Sequence, residues 1–345
     1  MAHIVLSDAG IAFDGTTPRT RPLGGAEGAF VALAEALAAR GHRVEVRNAC
    51  TAPVEVAGVA WRPLAEGFPA ACDLHIANRS DKLLRALPGA RRTAFWVHNP
   101  CRYLLKARYL WKLAVTRPVI VCLGAYHLST LPAWVPDGGR LVIPHGLPDT
   151  FLHAAPREPP APRAVFTSNP LRGLDWLLDR WERDIRPQVP EAGLDLYCGP
   201  GVYGSVGDRK ADAMRRVLDR ARALAGAGVV LHDPLPREAL AAVLQEARVM
   251  LYPGDLNETF CFAVAEAQAL GLPAVVLNQG ALPERVRSGG TGFVATDDTA
   301  FVSDAVRLLR DDALWRKLHR TALAEQRSWT WNDAAAAFER LLPED

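Results

Sequence analysis

Between Lys82 and Pro136 the sequence contains no aspartate or glutamate, yet Lys82, Arg85, Arg91, Arg92, Arg102, Lys106, Arg108, Lys112 and Arg117 all fall there. A stretch this one-sided either attracts phosphates and anionic lipid or is a solvated basic face. The whole chain carries a formal charge of only +2, so there is no global argument for nucleic acid as a partner. No C-x-x-C pair occurs among the six cysteines (Cys50, Cys72, Cys101, Cys122, Cys198 and Cys261), and no histidine stands at ligand spacing to them. That excludes a disulfide framework and structural zinc, and suits buried thiols in a reducing compartment. No window approaches the roughly 18 to 20 apolar residues of a membrane span. The start, MAHIVLSDAG, has an apolar run of only Ile4–Leu6 and no basic stretch ahead of it, unlike a secretory signal. The expectation is a soluble cytoplasmic protein, with peripheral contact to the inner face of a membrane through residues 82–117 left open.

What is present is ordinary globular material, 49% hydrophobic and 23% charged over 345 residues, a length that suits two domains. Short apolar runs alternate with helical patterns. Ile4–Leu6, Val44–Val46, Leu74–Ala77, Thr93–Val97, Val119–Leu123 and Leu141–Ile143 read as strands, with a helix over Ala26–Ala39 stopped at Gly41. Residues 153–163, HAAPREPPAPR, hold four prolines and cannot enter a sheet interior, so they read as a stiff linker. The alternation then restarts: strands at Ala164–Phe166, Leu194–Cys198, Val229–Leu231, Val249–Tyr252 and Ala274–Leu277 are interleaved with helices at Gly173–Arg183, Ala211–Leu224, Arg237–Glu246 and Thr259–Leu270, before a helical tail. The expected fold class is α/β, with two doubly wound, Rossmann-like parallel-sheet domains. Their expected bounds are 1–152, joined by a C-terminal helix over about 329–345, and 164–328. Ligands of such sheets sit off the carboxyl ends of the strands, and a two-domain version expects them in a central cleft.

Two segments carry chemistry. Gly24 and Gly25 lie between the first strand and its helix, where a ligand can approach the backbone and an anion can meet free N–H groups. Glycines are also routine at helix starts, and this loop is not the G-x-G-x-x-G of dinucleotide oxidoreductases. The second segment is NETFCFAVAEAQALGLPAVV, residues 257–276. Its two glutamates, Glu258 and Glu266, admit a bland reading, a core helix with a charged start and one solvated carboxylate. They also admit a pocket wall that grips hydroxyl groups. With a helix starting near Thr259, a diphosphate fits the helix N-terminus, Glu258 reaches a group beyond it, and Glu266, about two turns in, reaches a group on the other side.

Here the sequence resembles the retaining glycosyltransferases of the GT-B fold, in the large family 4 group. The carriers are E-x7-E at Glu258 and Glu266, followed by Ala267, Ala269, Gly271 and Pro273, then Asn278–Glu284 and Gly289-Gly290-Thr291-Gly292-Phe293. Gly24-Gly25-Ala26-Glu27, Val142–Gly146 and Asp195–Gly199 match in kind and order. The resemblance implies an enzyme of the glycosyl-transferring class (EC 2.4), moving a sugar from a nucleotide-diphosphate sugar to an acceptor hydroxyl of a glycan, lipid-linked or protein acceptor. It assigns Glu266 to the ribose hydroxyls and Glu258 to the donor sugar and its reacting ring. Gly24, Gly25, Asn257 and the backbone of Thr259 and Phe260 fall to the donor and its diphosphate. It also implies that His98 meets the donor sugar, although a capping or core histidine is the alternative.

One departure stands out. The family presents an Arg and then a Lys-Gly to the diphosphate, whereas here Arg172-Gly173 stands at the Lys-Gly position with nothing basic from Ala164 to Leu171. Arg for Lys still binds phosphate. The missing charge could come from Arg209 or Lys210, or neutral hydrogen bonds from Ser168 and Asn169 could replace it. No Asp-x-Asp stands near these elements, so the expectation is no metal and no cofactor, with Arg172, helix N-termini and backbone N–H groups meeting the leaving diphosphate. The acceptor is expected on the first domain. The aromatic and basic run Tyr103–Lys112 would either hold it or rest on a membrane, or simply be core packing with basic flanks. The rival readings are a catalytically silent sugar-nucleotide or glycan-binding subunit, and another GT-B activity such as a phosphorylase or epimerase.

Overall fold

The computed structural model describes residues 1–21, 23–199 and 210–343. The chain divides into two units, Met1–Gly146 with Trp329–Asp345, and Leu147–Ser328.

The first unit is built on β1 (His3–Asp8), β2 (Arg43–Asn48), β3 (Val54–Val56), β4 (Val59–Pro63), β5 (Cys72–Asn78), β6 (Ala90–Trp96), β7 (Val119–Cys122) and β8 (Arg140–Val142). They form one sheet in the order β3-β4-β2-β1-β5-β6-β7-β8. All pairs are parallel except β3 with β4. The central strands are apolar on both faces: Ile4 pairs with Val44 on one side and Leu74 on the other, and all are buried. Helices α1 (Thr17–Thr20), α2 (Gly25–Ala39), α3 (Ala107–Thr116) and α4 (Ala125–Ser129) accompany it. Helix α2 is held by a stripe of Phe30, Leu33, Ala34 and Leu37, one face at helical spacing, against the sheet.

Strands β3 and β4 lie outside the runs expected from the sequence. Their two-residue turn is Ala57-Gly58, with φ of 51° and 76°, the type I′ conformation normally announced by Asn-Gly. The hairpin matters to the core because β4 supplies Trp61, fully buried in edge contacts with Phe13 and Phe30 at 6.0 and 6.4 Å.

The second unit carries β9 (Arg163–Phe166), β10 (Gly193–Tyr197), β11 (Val229–His232), β12 (Val249–Tyr252), β13 (Ala274–Leu277) and β14 (Gly292–Ala295). They form a wholly parallel sheet in the order β11-β10-β9-β12-β13-β14. Its helices are α5 (Leu174–Arg180), α6 (Ala211–Ala223), α7 (Arg237–Glu246), α8 (Phe262–Ala269), α9 (Asp298–Arg310) and α10 (Asp312–Glu325). The order switches direction between β9 and β12, and the chemistry-bearing segment follows β12.

The proline-rich stretch 153–163 lies within the second unit, and the division falls ahead of it at Gly146/Leu147. It is belted down by arginines: Arg327 donates to the Ala154 carbonyl at 2.6 Å and Arg248 to that of Pro160 at 3.0 Å, while the Arg157 N–H donates to His319 at 3.1 Å. The last helix, α11 (Trp331–Glu339), belongs to the first unit. It starts on a capping box of Thr330 and Asp333 and lies against α2, where Glu339 accepts a two-pronged bond from Arg40 at 2.5 and 2.7 Å.

Candidate active site

In the second unit, β12 ends at Tyr252 and the chain turns through Pro253-Gly254. Asp255 closes the turn by accepting from the Asn257 N–H at 2.6 Å and its side-chain amide at 2.8 Å. Asn257 is therefore bonded within its own loop, and exposed. Glu258 lies inward, 4% exposed. Its backbone is clamped by the 278–284 loop: the Ala281 N–H donates to the Glu258 carbonyl at 3.0 Å. That approach requires Gly280, whose added Cβ would stand 2.7 Å from the Glu258 oxygen, at a φ of 56°.

The Glu258 carboxylate accepts from the Arg172 guanidinium and from the Tyr252 hydroxyl, on the same oxygen. Arg172 is brought there by a turn in which its N–H donates to the Asn169 carbonyl at 2.9 Å. The next residue, Gly173, packs so closely on Pro253 that a Cβ would meet the proline ring at 2.6 Å. Burial works against the Arg172 charge, but the Glu258 carboxylate and Tyr252 overcome it and hold the guanidinium above its usual range. Burial, with the Cys261 sulfur and the Glu258 carboxylate close by, pushes the Tyr252 phenol well above its usual range, so it remains an O–H donor. The sequence reading set Arg172 beside a diphosphate; here its direct partner is Glu258. Tyr252 was missed, because a tyrosine ending an apolar strand looks like core.

The helix after this turn starts later than its apolar run suggested. Cys261 holds a left-handed φ of 65°, and α8 begins at Phe262, so Thr259 and Phe260 lie in the turn, buried, instead of in the first helical turn. Glu266 is then about one turn into α8 and not two. It is 5% exposed, and burial raises its carboxyl above the usual range. Its Oε1 lies 3.4 Å from the Arg237 guanidinium but makes no hydrogen bond.

Of the proposed substitutes for the missing cation, Ser168 sits 3.4 Å from the Tyr252 hydroxyl and Asn169 accepts from the Leu171 N–H at 2.9 Å. Lys210 is the exposed cap of α6, and Arg209 lies outside the described residues.

In the first unit, Gly24 caps α2 and Gly25 is its first residue. The helix start is tied to the sheet by a cluster the sequence did not announce. Arg79, at the end of β5 with a φ of 59°, donates to Asp8 at 2.9 Å and to Glu27 at 3.0 Å, while Asn78 donates to Asp8 at 2.6 Å. His98 follows β6, buried and stacked on His145 with ring centroids 5.2 Å apart. Burial, then His145, Arg79 and His127, holds the His98 imidazolium well below its usual range, so the ring is neutral.

The acid-free stretch finds its acids elsewhere. Lys112 pairs with Asp81 at 2.8 Å, Arg108 with the same carboxylate at 3.6 Å, and Arg91 with Asp73 at 3.4 Å. Leu104, Tyr109 and Leu113 enter the core, and Trp111 is 47% exposed between Arg85 and Lys112. The thiols of Cys101 and Cys122, 4.0 Å apart, gather with His127, a proximity that sequence spacing did not reveal. Both ring nitrogens of His127 are occupied, by the Leu123 N–H at 3.1 Å and the Asn99 carbonyl at 2.9 Å, so the cluster is structural. Among the described residues, no helix is long and apolar enough to cross a membrane.

Residues 161–311 match the family model described as glycosyl transferases group 1. A D-inositol 3-phosphate glycosyltransferase of Streptomyces avermitilis is 32% identical over 187 residues, which is 53% of this chain and 39% of that protein. Across the curated relatives it matches first, the chain spans 25 to 39% of their length. Among solved structures, sucrose-phosphate synthase from Thermosynechococcus elongatus superposes with a TM-score of 0.75 at 18% identity, covering 99% of this chain and 98% of that one. Anabaena Alr3699/HepE in complex with UDP and glucose superposes with a TM-score of 0.72 at 14% identity, covering 99% of each chain. At those identities the likeness is one of fold. Residues 161–311 thus match a group 1 glycosyl transferase domain, and the two parallel-sheet units of the chain have the GT-B fold.

Proposed function

We propose that this chain is a glycosyltransferase that moves a sugar from a nucleoside-diphosphate sugar to an acceptor hydroxyl, with retention of anomeric configuration and without a metal. The observation that carries the reading is the pair of sealed carboxylates on one short segment. Glu258 is fixed by two donors, and Glu266 is buried with acceptor capacity unspent. Carboxylates accept from sugar hydroxyls, and the N-terminus of α8 between them carries the positive end of a helix dipole, which favours a diphosphate. Glu258 faces the donor ring and steadies charge as the glycosidic bond breaks; Glu266 takes the ribose.

Arg172 serves two purposes. Its guanidinium holds Glu258, and as a five-donor fork it can also meet the leaving diphosphate. Tyr252 donates to the same Glu258 oxygen, so that carboxylate is oriented before the donor arrives. In retaining chemistry of this kind the leaving phosphate oxygen takes the acceptor proton, on the face where the new bond forms. His98, as a neutral imidazole, can hydrogen-bond the donor sugar without adding charge. The match to glycosyltransferases and the UDP held by the Anabaena neighbour make UDP-sugars the donors to try first. A phosphorylated cyclitol is the acceptor to try first, from the name of the curated relatives.

The test is release of nucleoside diphosphate from UDP-, GDP-, TDP- and ADP-sugars, with and without acceptor, in the wild type and Glu258→Ala. Release with one donor, lost in Glu258→Ala and persisting in EDTA, with an axial or equatorial product matching the donor anomer, is the expected result. Binding without turnover of any donor would make the chain a silent binding subunit, and no binding would remove the reading altogether.

A further inference from the structure

Glu266 needs a countercharge that does not use up its hydrogen bonds. Helix α8 packs against α7, α10, β12, β13 and the turn Asp149–Phe151. From α10 the titratable side chain at this contact is His319, bonded to the Gly271 carbonyl at 2.7 Å. From β12 it is Tyr252, which donates to Glu258. Asp149 is exposed, and β13 is apolar. From α7 comes Arg237, whose guanidinium is the charge that acts on Glu266.

The geometry of this pair is unlike the other ion pairs around the segment. Arg237 comes within 3.4 Å of Oε1, inside ion-pair range but without a hydrogen bond. Its guanidinium also sits over the Phe262 ring, 5.5 Å from the centroid, which anchors it while its side chain stays 32% exposed. Arg237 is the first residue of α7, where a cation opposes the helix macrodipole, so the stability of α7 does not account for it. A close two-pronged pair, such as Arg40 with Glu339, would consume both carboxylate oxygens.

We infer that Arg237 is a positioning residue for nucleotide binding, the counter-ion that holds Glu266 for the ribose hydroxyls, on the reading of Glu266 proposed above. The arginine neutralises the sealed carboxylate while leaving its lone pairs to the ligand, and its anchor on Phe262 ties it to the first residue of α8. Without the guanidinium, burial alone acts on Glu266 and raises its carboxyl further. Protonation then removes an acceptor as pH falls, and it does so at a higher pH than in the wild type.

The experiment is calorimetric titration of UDP, GDP, TDP and ADP at pH 8 and pH 6 into the wild type, Arg237→Ala, Arg237→Lys, Glu266→Gln and the Arg237→Ala/Glu266→Gln double variant, each checked for folding by thermal unfolding. Arg237→Ala should weaken the bound nucleotide about three- to tenfold at pH 8, within the range of one pKa unit of charge interaction. The loss should widen at pH 6, Arg237→Lys should recover most of it, and Arg237→Ala should add nothing in the Glu266→Gln background. A loss that is the same at both pH values and persists in that background would make Arg237 a merely structural residue and overturn the inference. So would an Arg237→Ala protein that binds like the wild type. If the wild type binds none of the nucleotides, the ribose reading of Glu266 fails and the role of Arg237 goes with it.

Discussion

Glu258 and Glu266 leave the same short segment and are sealed from solvent to the same degree, 4% and 5% exposed, yet they are held in opposite ways. Glu258 is gripped by Arg172 and Tyr252 on one side chain oxygen, and its own backbone is bonded to the 278–284 loop. Glu266 has one cation at 3.4 Å and no hydrogen bond on Oε1. A buried polar atom without a partner is costly unless something supplies one. On the proposed function, the difference separates a carboxylate that is set in place before any ligand arrives from one whose hydrogen bonds are completed by the ligand.

Removing each carboxylate should expose that difference. The largest effect is expected from Glu258→Ala. It should lower turnover about 100-fold or more, the scale of losing a preorganised charge at a reacting centre. It should also lower the melting temperature, since the Tyr252 hydroxyl is left buried without its acceptor at a cost of about 1–3 kcal/mol. Glu258→Gln, which keeps an acceptor, should recover stability but not turnover. Glu266→Ala should do the reverse, weakening nucleotide about 10- to 100-fold by titration while turnover at saturating donor changes far less. If Glu266→Ala lowered only the turnover rate, the two roles would have to be exchanged.

A smaller effect sharpens the account of Glu258. Tyr252→Phe removes one hydrogen bond to a charged acceptor and should reduce turnover about tenfold with UDP affinity unchanged. The smallest concerns the hinge between the two glutamates. Cys261 holds a φ of 65°, where a side chain is strained by about 1–2 kcal/mol and glycine is not. Cys261→Gly should therefore be more stable than Cys261→Ala by about 1 kcal/mol, reversing the usual order for a residue at a helix start, as thermal unfolding of the two variants would read.

Much of this arrangement was legible in the sequence where one segment carries its own signal. Uniformly apolar runs such as Val249–Tyr252 and Ala274–Leu277 announce buried parallel strands because both faces are covered. The E-x7-E spacing likewise marks the candidate site, because both glutamates interrupt a run that packing alone would have kept apolar. What stayed hidden depends on pairings distant in the chain or on a backbone angle. Arg172 reaches Glu258 across 86 residues, and Arg79 joins Asp8 and Glu27 across 71 and 52. Helix α8 starts late because Cys261 takes a left-handed angle that its residue type does not advertise. The edge hairpin was missed because Ala57-Gly58 makes a turn usually made by asparagine and glycine.

The central claim is that this segment holds a nucleoside-diphosphate sugar, with Glu266 on the ribose. A thermal-shift panel of UDP-, GDP-, TDP- and ADP-sugars on the wild type and Glu266→Ala tests it most directly, because a ligand at 100 times its dissociation constant stabilises the folded state by about 2.7 kcal/mol. The account predicts that at least one nucleotide sugar raises the melting temperature of the wild type and leaves that of Glu266→Ala unmoved at the same concentration. A panel that shifts neither protein, or a nucleotide sugar that shifts both equally, would contradict it.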